Sequence, residues 1–299
     1  MKSSLITIGI PTKNRELQLL ELLNSLSKQS FQDFTVLIVD QSKNSAINVL
    51  KKEFIHNLNF FNKIEYIHKT SINSLTQAKN FIIKNSDSRY ICFLEDDEVL
   101  FENFIKNLYQ GFKDNCNMIG SSGTIVNHPI NSFVYKFFFN FFHIGIFKDN
   151  RVNIYANSKT KNFGLILSNK ISGGLTMWKS WIFNEFSFDD LNNIHFTEDI
   201  DFSTRVYDKY PSTLFINLSA KLYHNINQNK STRLLNFELI EKKVYEYKIF
   251  YRKRKNFLNL LCTVWLFIGF FLESLYYCLR NKNLKPLTFY FKGLFSNGA

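Results

Sequence analysis

The sequence predicts an α/β domain with a mostly parallel central sheet flanked by helices, followed by a helical tail. Three observations support this prediction. Short apolar runs of strand length alternate with segments of helical periodicity. The apolar runs are nearly continuous, as expected of parallel strands that are covered on both faces. Acidic residues directly follow two of these runs, at the sheet edge where ligands bind in α/β proteins.

The first part of the chain supplies the parallel strands and the helices between them. Strands are predicted at Leu5–Ile10, Phe34–Val39, Ile64–His68 and Tyr90–Leu94. Pro11 and the polar residues after it are expected to end the first strand. Helices are predicted around the leucines at 17, 20, 23 and 26, and over Ala46–Phe54 and Leu75–Lys84.

The second part of the chain carries weaker signals. A helix over Phe101–Phe112 and strands over Met118–Val126 and Ser212–Asn217 are predicted from apolar patterning. Thr197 is a candidate N-cap for a helix that ends near Tyr210. The Phe-rich stretch Phe133–Phe147 has no clean period and reads equally as a core-covering insertion or as an apolar surface loop.

The strongest chemical signal is the run of four carboxylates, Glu95 to Glu98, directly after the strand Tyr90–Leu94. Such a run repels itself unless positive charge lies within it. A hard divalent cation with oxygen ligands would explain the run, and nucleotide phosphates usually complete the coordination of Mg²⁺. The alternative is that the acids only complement the dipole of the helix predicted to start near Phe101.

No glycine-rich phosphate loop follows the first predicted strand, because neither G-x-G-x-x-G nor G-x-x-x-x-G-K-[ST] occurs. This counts against dinucleotide oxidoreductases and P-loop enzymes. Any bound phosphates must therefore be held by a metal ion and side chains.

Three further features each have a functional and a structural interpretation. The pair Gly173 and Gly174 indicates either a close backbone approach to a ligand or to another strand, or a structural turn. Glu198 and Asp199 are either site residues or acids that complement a helix dipole. His224 is either a ligand for an Mn²⁺-type ion or a structural histidine.

The tail differs from the rest of the chain, so we predict a domain at residues 1–229 and a tail at 230–299. The net charge of the chain is +12, and from Lys230 onward thirteen basic residues face four acidic ones. A polar helical stretch, Lys230–Tyr251, precedes the basic cluster Arg252–Lys255 and the apolar segment Leu260–Leu272. This segment is shorter than the roughly 20 residues of a spanning helix and is basic on both flanks. It favours an interfacial or re-entrant helix at an anionic membrane, with a full span and a buried docking helix as the alternatives.

Taken together, the motifs resemble a family-2 glycosyltransferase of the GT-A fold, in particular the bacterial rhamnosyltransferase-like members. The resemblance covers about Leu5 to His224. It rests on six segments in the family's order: Ile8–Arg15 with its P-T-x-N-R turn, Val36–Ser42, Leu75–Asn80, Glu95–Asp97, Ser172–Gly174 and Thr197–Asp201, with His224 as a late histidine. There are departures. Glu95 replaces the usual first Asp of its motif, and Gln41 replaces the second acid that often follows Asp40. Lys79 replaces an Arg, whose guanidinium can donate two hydrogen bonds to a phosphate.

The resemblance implies roles for particular residues. Donor-binding residues would be Pro11, Thr12, Asn14, Arg15, Asp40, Lys79 and Asp96, of which Thr12, Asp40 and Asp96 would hold the base and ribose. Asp97, with His224, would coordinate Mn²⁺ or Mg²⁺ on the diphosphate. Gly173, Gly174 and Glu198 would bind the acceptor, and Asp199 would be the catalytic base.

The resemblance also implies an activity: inverting transfer of a sugar from a nucleotide-sugar, with UDP or dTDP favoured, to a glycan acceptor. The basic and apolar tail suits a lipid-linked acceptor in bacterial surface polysaccharide synthesis and a place on the cytoplasmic face of the membrane, peripheral or re-entrant. Nucleic acid is not expected as a partner, because the tail aromatics cluster in an apolar block and do not interleave with Lys and Arg. A sugar nucleotidyltransferase and a non-catalytic basic binding protein are the alternative functions.

Overall fold

The computed structural model describes residues 4–127, 133–147, 164–192, 194, 197–225 and 237–296. These residues belong to two compact units. The first contains the sheet and runs over residues 1–128, 153–190 and 198–226, and the second runs over residues 129–152, 191–197 and 227–299. The predicted boundary between residues 229 and 230, and the start of the predicted helix at Lys230, lie outside the described residues.

The parallel strands of the first unit confirm four predictions. They are β1 (Ile6–Thr12), β2 (Phe34–Asp40), β3 (Ile64–His68) and β4 (Tyr90–Leu94). They lie in the order β3-β2-β1-β4 and all pair in parallel. Pro11 does not end β1 as expected. The strand continues to Thr12, whose carbonyl accepts the Gln41 N–H at 2.9 Å.

The rest of the sheet corrects the expectation of a mostly parallel sheet. Among the described residues it adds β5 (Glu98–Leu100), β6 (Gly120–Ile125), β7 (Leu165–Ser168), β8 (Leu175–Lys179) and β9 (Leu214–His224). The sheet order continues from β4 as β8-β6-β9-β5, with β7 also on β9. The pairs β4–β8, β6–β8, β5–β9 and β7–β9 are antiparallel, so the sheet is mixed. The strand predicted over Ser212–Asn217 is the first part of β9, which continues to His224.

In the part of the first unit that the structure describes, six helices cover the sheet. They are α1 (Glu16–Ser27), α2 (Ile47–Glu53), α3 (Leu58–Phe61), α4 (Leu75–Lys84), α5 (Phe104–Asp114) and α7 (Glu198–Lys209). The helix expected from Phe101 begins at Phe104, because Glu98–Leu100 form β5. In α1 the buried face is Leu19, Leu22, Leu23 and Leu26. Leu17, expected on that face, is 73% exposed.

Both faces of the sheet are buried, which explains why its strands are apolar throughout. Val36 and Ile38 of β2 pack in one hydrophobic cluster with residues of α1 and α5. Leu37 and Val39, the alternate residues of the same strand, pack in a second cluster with residues of α4 and α7. Successive side chains of a strand point to opposite faces, so helices lie on both sides. This arrangement leaves the strand ends as the open edge of the unit.

The second unit is helical. It contains α6 (Phe133–Phe138), which continues into a π-helical segment over Phe139–Ile144, and α8 (Glu238–Arg252), α9 (Phe257–Asn281) and α10 (Lys285–Phe295). The Phe-rich stretch is therefore helical rather than a loop, and it packs on α9 within this unit. The apolar segment Leu260–Leu272 is the centre of α9. At 25 residues, α9 is long and apolar enough to cross a membrane.

Candidate active site

The ends of β1 and β4 bring a hydroxyl, a guanidinium and two carboxylates together. The two strands pair from Ile6 to Gly9, so the residues that follow them meet at one edge of the sheet. The Thr12 hydroxyl donates to Asp96 Oδ2 at 2.7 Å. The half-exposed Arg15 donates from Nη1 to Asp96 Oδ1 at 2.9 Å and to Asp97 Oδ2 at 3.0 Å. Three of the predicted donor-binding residues thus form one hydrogen-bonded group.

Asp40 lies beside this group, because it is the register partner of Thr12 at the end of β2. It is fully buried and accepts the N–H of Ser42 at 2.8 Å and the hydroxyl of Tyr66. Burial tends to raise the pKa of Asp40, but the hydrogen bonds from Ser42 and Tyr66 outweigh it and lower the pKa below the usual value. Asp40 is therefore a fixed, ionised acceptor at the floor of this edge.

The turn after β1 is shaped by its own backbone. Pro11 is the second-to-last residue of β1, opposite Val39. Asn14 adopts a left-handed φ of 57°, a conformation that Asn tolerates better than most residues. Its N–H donates to the Ser42 hydroxyl at 2.7 Å. The turn holds Arg15 where it can reach the carboxylates after β4.

Glu95, Asp97 and His224 form what we call the metal cluster. One ligand atom from each lies within 4.8 Å of the other two. His224 Nε2 is 3.1 Å from Asp97 Oδ1 and 3.7 Å from Glu95 Oε2. The strand β9 carries His224 to this point, and its neighbour Asn225 donates its N–H to the Asp97 carbonyl at 2.7 Å. Two carboxylates and an imidazole are a donor set that suits Mn²⁺ or Mg²⁺.

Positive neighbours keep the central acid of the metal cluster ionised. Burial tends to raise the pKa of Asp97, but the hydrogen bond with His224 and the charges of His224 and Arg15 lower it below the usual value. The same hydrogen bond raises the pKa of His224. For Glu95, burial dominates and the nearby Asp97 adds to it, so the pKa of Glu95 is raised.

The fourth carboxylate of the run does not join the metal cluster. Glu98 is the first residue of β5 and is 1% exposed. Its Oε2 accepts the Glu95 N–H at 3.1 Å. Burial, followed by the charge of Glu95, raises the pKa of Glu98 well above its usual value. Glu98 therefore stabilises the turn after β4 through this hydrogen bond, while Glu95, Asp96 and Asp97 face the site.

A second group, the base cluster, consists of Lys79, Gly173, Glu198 and Asp199. Lys79 Nζ and Glu198 Oε1 form a buried ion pair at 3.1 Å, with side chains 1% and 6% exposed. The Gly173 N–H donates to Asp199 Oδ2 at 3.0 Å, and the Ile200 N–H donates to Oδ1 at 2.7 Å. These contacts join α4, α7 and the turn before β8.

The paired glycines are needed because both clusters approach them closely. A Cβ on Gly173 would lie 2.8 Å from the Asp199 Cβ and 3.0 Å from Lys79 Nζ. A Cβ on Gly174 would lie 2.4 Å from the Glu95 Cγ. Gly173 therefore belongs to the base cluster, and Gly174 packs against the metal cluster. The close approach seen here is to side chains in the bend before β8, and approach to a ligand stays a prediction.

Asp199 has the protonation behaviour of a base. Burial and the adjacent charge of Glu198 raise the pKa of Asp199 to about 7, although Lys79 and the two N–H donors oppose the rise. Near neutral pH, an acid with this pKa is partly ionised and can bind a proton that it accepts. General-base catalysis requires this property.

Sequence reasoning did not identify several contacts of the site. Lys79, expected on the donor phosphates, is buried beside Glu198, and its donor contact stays a prediction. Glu95 was recognised as part of the four-acid run that a cation would explain, but it was not named as a metal ligand, although its carboxylate completes the metal cluster. The Tyr66 hydroxyl on Asp40 was not foreseen. The four-acid run was the only available signal for Glu95, and no local signal pointed to Tyr66.

Comparison with protein families identifies the chain. The model of glycosyl transferase family 2 matches residues 7–175, more than half of the sequence. The chain belongs to glycosyl transferase family 2. The matched region contains Thr12, Asp40, Asp96 and Asp97 at the strand ends, together with Gly173 and Gly174. It ends at the first residue of β8.

Curated relatives of this family-2 chain are also glycosyltransferases. It is 22% identical over 227 residues to Glycosyltransferase GlyA of Streptococcus pneumoniae, covering 73% of this chain and 30% of GlyA. It is 27% identical over 108 residues to Glycosyltransferase GlyG of the same species, covering 36% of this chain and 35% of GlyG. The chain thus spans about a third of the length of these relatives.

Solved structures confirm the GT-A-like fold of this family-2 chain. The mannosyltransferase PcManGT of Pyrobaculum calidifontis, solved with GDP-Man and Mn²⁺, has a TM-score of 0.62 at 11% identity, covering 99% of this chain and 88% of PcManGT. Residues 1–349 of TarS from S. aureus, solved with UDP-GlcNAc, have a TM-score of 0.61 at 14% identity, covering 97% of this chain and 79% of the other.

Proposed function

We propose that this family-2 transferase moves a sugar from a nucleotide-diphosphate sugar to a hydroxyl of a glycan acceptor, with inversion at the anomeric carbon. The observation that carries the proposal is the contrast between the two clusters at one edge of the sheet. An ionised carboxylate beside His224 suits a cation on a diphosphate, and Asp199, with a pKa of about 7, suits proton removal from the acceptor.

The donor would lie along the ends of β1, β2 and β4. Asp40 and Asp96 would accept hydrogen bonds from the base and ribose, with Thr12 holding the Asp96 carboxylate in place. Arg15, half-exposed between the carboxylates and solvent, would also face the diphosphate. A UDP- or dTDP-sugar is the favoured donor class, since TarS is solved with UDP-GlcNAc.

The metal cluster would hold Mn²⁺ or Mg²⁺. Glu95, Asp97 and His224 fit such an ion because their ligand atoms lie within 4.8 Å of one another and are of the types that it prefers. The ion would neutralise negative charge that develops on the diphosphate leaving group. PcManGT and GalNAc-T7 are both solved with Mn²⁺.

Asp199 would take the proton from the acceptor hydroxyl as that oxygen attacks the anomeric carbon. The bond from this carbon to the diphosphate oxygen breaks on the opposite face, so a single displacement inverts the configuration. The Gly173 N–H donates a hydrogen bond that holds the Asp199 carboxylate in place. Glu198, the residue before Asp199 on α7, would bind acceptor hydroxyls. Lys79 keeps Glu198 in place from below.

The acceptor class in this proposal is a glycan, carried on a lipid, in bacterial surface polysaccharide synthesis. One curated relative, TarS of Staphylococcus aureus, is a poly(ribitol-phosphate) beta-N-acetylglucosaminyltransferase and is 28% identical over 109 residues, covering 36% of this chain and 18% of TarS. The thirteen basic residues from Lys230 onward suit an anionic membrane or a lipid-linked phosphate. We therefore place the enzyme on the cytoplasmic face of the inner or plasma membrane.

A donor screen tests this proposal. The purified chain would be incubated with Mn²⁺ and a panel of UDP-, dTDP- and GDP-sugars, and release of nucleoside diphosphate would be scored with the Asp199→Asn variant as control. We expect release from one nucleotide class, abolished by EDTA and restored by Mn²⁺ or Mg²⁺. Water is the acceptor in this assay, so the anomeric configuration of the released sugar, read by NMR before it mutarotates, should be opposite to that of the donor. Joining of a nucleotide to a sugar phosphate would instead identify a nucleotidyltransferase.

A further inference from the structure

The helix α9 exposes an apolar face along almost its whole length. Six residues on this face are between 36% and 74% exposed, and they follow one another at intervals of three or four: Leu260, Val264, Ile268, Leu272, Leu275 and Leu279. At about 100° per residue they spread over roughly a third of the helix circumference. Only 28% of the most apolar window of α9 is buried, whereas the core helix of a soluble protein is mostly buried.

The other face of α9 is buried within the second unit. A Cβ on Gly269 would lie 2.5 Å from the Phe142 ring, so the Phe-rich segment packs directly on the helix. Trp265 Nε1 donates to the Phe141 carbonyl at 2.6 Å, and the Tyr290 hydroxyl donates to the Phe267 carbonyl at 3.2 Å. These contacts fix the rotation of α9 and leave the exposed apolar face outward.

Partly exposed charged side chains lie on the side of α9 that faces away from its exposed apolar residues. Glu273 of α9 lies 3.8 Å from Lys243 of α8, and Lys292 of α10 lies 3.3 Å from Glu241 of α8. If α9 stood across a bilayer, Glu273 and Lys243 would enter the hydrocarbon, which is costly for ionised groups. If α9 lay flat, Glu273 would point away from the lipid, because it is well over 90° around the helix from the exposed apolar face.

Basic residues lie at both ends of α9. Arg252–Lys255 precede the helix, and Arg280, Lys282 and Lys285 lie at or after its end. A flat helix of about 37 Å places both groups at the headgroups of one leaflet. A transmembrane helix would place one group on each side. The charge pattern therefore complements an anionic bilayer surface at both ends of the helix.

We propose that the exposed apolar face of α9 docks flat on an anionic lipid bilayer, with the helix axis parallel to the membrane and the second unit on the cytoplasmic side of the lipid. This proposal defines the surface and orientation of attachment, and it does not depend on which sugar is transferred.

Vesicle flotation tests the surface. The full chain would be mixed with vesicles of phosphatidylcholine alone, or with about 30 mol% phosphatidylglycerol, whose negative surface attracts basic segments. We expect flotation mainly with the anionic vesicles. The double change Ile268→Glu with Leu272→Glu should lower the bound fraction at least about tenfold, because it places charge on the lipid-facing side.

Matched controls separate loss of docking from loss of folding or from added negative charge. Leu17 and Leu58 are exposed apolar residues of the first unit, so Leu17→Glu with Leu58→Glu adds the same charge away from α9. This control should float like the parent chain. Both variants should keep the circular dichroism spectrum and melting temperature of the parent, because only exposed side chains are changed.

Depth measurements test the orientation. Cys116 is the exposed cysteine among the four, so a Cys116→Ser background allows single thiols at Leu260, Ile268 and Leu279 to carry a fluorescent label. Quenching by lipids brominated at different depths should report one shallow depth for all three positions. A middle position that is much deeper than both ends would show a spanning helix and overturn the proposal. Undiminished flotation of the α9 variant would show that this face does not contact lipid. If the parent chain is a dimer in solution and the variant is a monomer, a second copy of the chain covers this face instead, and the proposal is wrong.

Discussion

Two acidic clusters lie at the same edge of the sheet, and their surroundings shift the pKa values of Asp97 and Asp199, one aspartate in each, in opposite directions. The pKa of Glu95, which also belongs to the metal cluster, is raised by burial. In the metal cluster, the hydrogen bond and charge of His224 help lower the pKa of Asp97 despite its burial. In the base cluster, burial and Glu198 raise the pKa of Asp199 to about 7, although Lys79 opposes them. A carboxylate that binds a cation must stay ionised, whereas one that accepts a proton must be able to keep it. We therefore propose that the first cluster binds a cation and that the second removes a proton, because their pKa shifts suit these two tasks.

Removing the charge of the metal cluster should have the largest effect. Asp97→Asn should reduce transfer below detection and weaken binding of UDP with Mn²⁺, because the ionised ligand next to His224 is lost. Isothermal titration calorimetry measures the binding, and EDTA treatment of the parent chain should reproduce the loss of activity. Full activity of the parent in EDTA would contradict a metal role for this cluster.

Neutralising the base should lower kcat by about 10²–10⁴ and leave donor binding nearly unchanged. Asp199→Asn keeps the shape of the side chain but cannot take a proton. Steady-state kinetics and calorimetry with UDP and Mn²⁺ provide the two readouts. If Asp199→Asn turns over normally while Glu198→Gln is inactive, the roles of these neighbours are exchanged. If both variants are active and only less stable, the acids merely complement the dipole of α7.

The adjacent glycines allow the two clusters to be disturbed separately. Gly173→Ala should lower kcat by about 10–100-fold, since its Cβ would displace Asp199 by a fraction of an ångström or more. Gly174→Ala should instead raise the Mn²⁺ concentration needed for half-maximal activity by about tenfold, because its Cβ would push on Glu95. Mn²⁺ titrations of both variants test this. Identical kinetic profiles would show that the two clusters are not separable.

Lys79 should set the pH range of the base cluster. Lys79→Met removes the positive charge that opposes the raised pKa of Asp199, so the acidic limb of the kcat/KM profile should move to higher pH. Breaking the buried pair should also lower the free energy of unfolding by about 3–5 kcal/mol. Adding Glu198→Leu should recover part of this stability. Lys84→Met on the same helix is the control and should change neither property. An unmoved acidic limb would mean that Lys79 has only a structural role.

Local sequence signals predicted the residues of the site better than the contacts between them. Asp40 ends β2, and Asp96 and Asp97 follow β4 within three residues, so their position at one edge could be inferred from the pattern of strands. His224 ends β9, but the predicted strand stopped at Asn217, so only the family resemblance placed this histidine at the site. The Lys79–Glu198 pair joins residues 119 positions apart, and no periodicity reports such a contact. The burial of Glu98 could not be predicted for the same reason, because it depends on the pairing of β5 with β9, which are far apart in sequence.

Local sequence patterns also could not predict that the sheet contains antiparallel as well as parallel strands. The parallel strands β1 to β4 were predicted within two residues at each end, because they are apolar on both faces and separated by periodic helices. The strand β8 has the same apolar composition, yet it runs antiparallel between β4 and β6. Direction is decided by how the chain returns to the sheet, and the stretch between β6 and β8 carries no clear signal of that path.

A carboxyl titration followed by NMR is the most direct test of the contrast between the clusters. Protein labelled with ¹³C at aspartate side chains would be titrated from about pH 3 to 9, with Asp97→Asn and Asp199→Asn spectra to assign the two signals. The Asp199 carboxyl should titrate near pH 7, and the Asp97 carboxyl should titrate below the usual range of aspartate. An Asp199 carboxyl that titrates near pH 4 would contradict its assignment as the base.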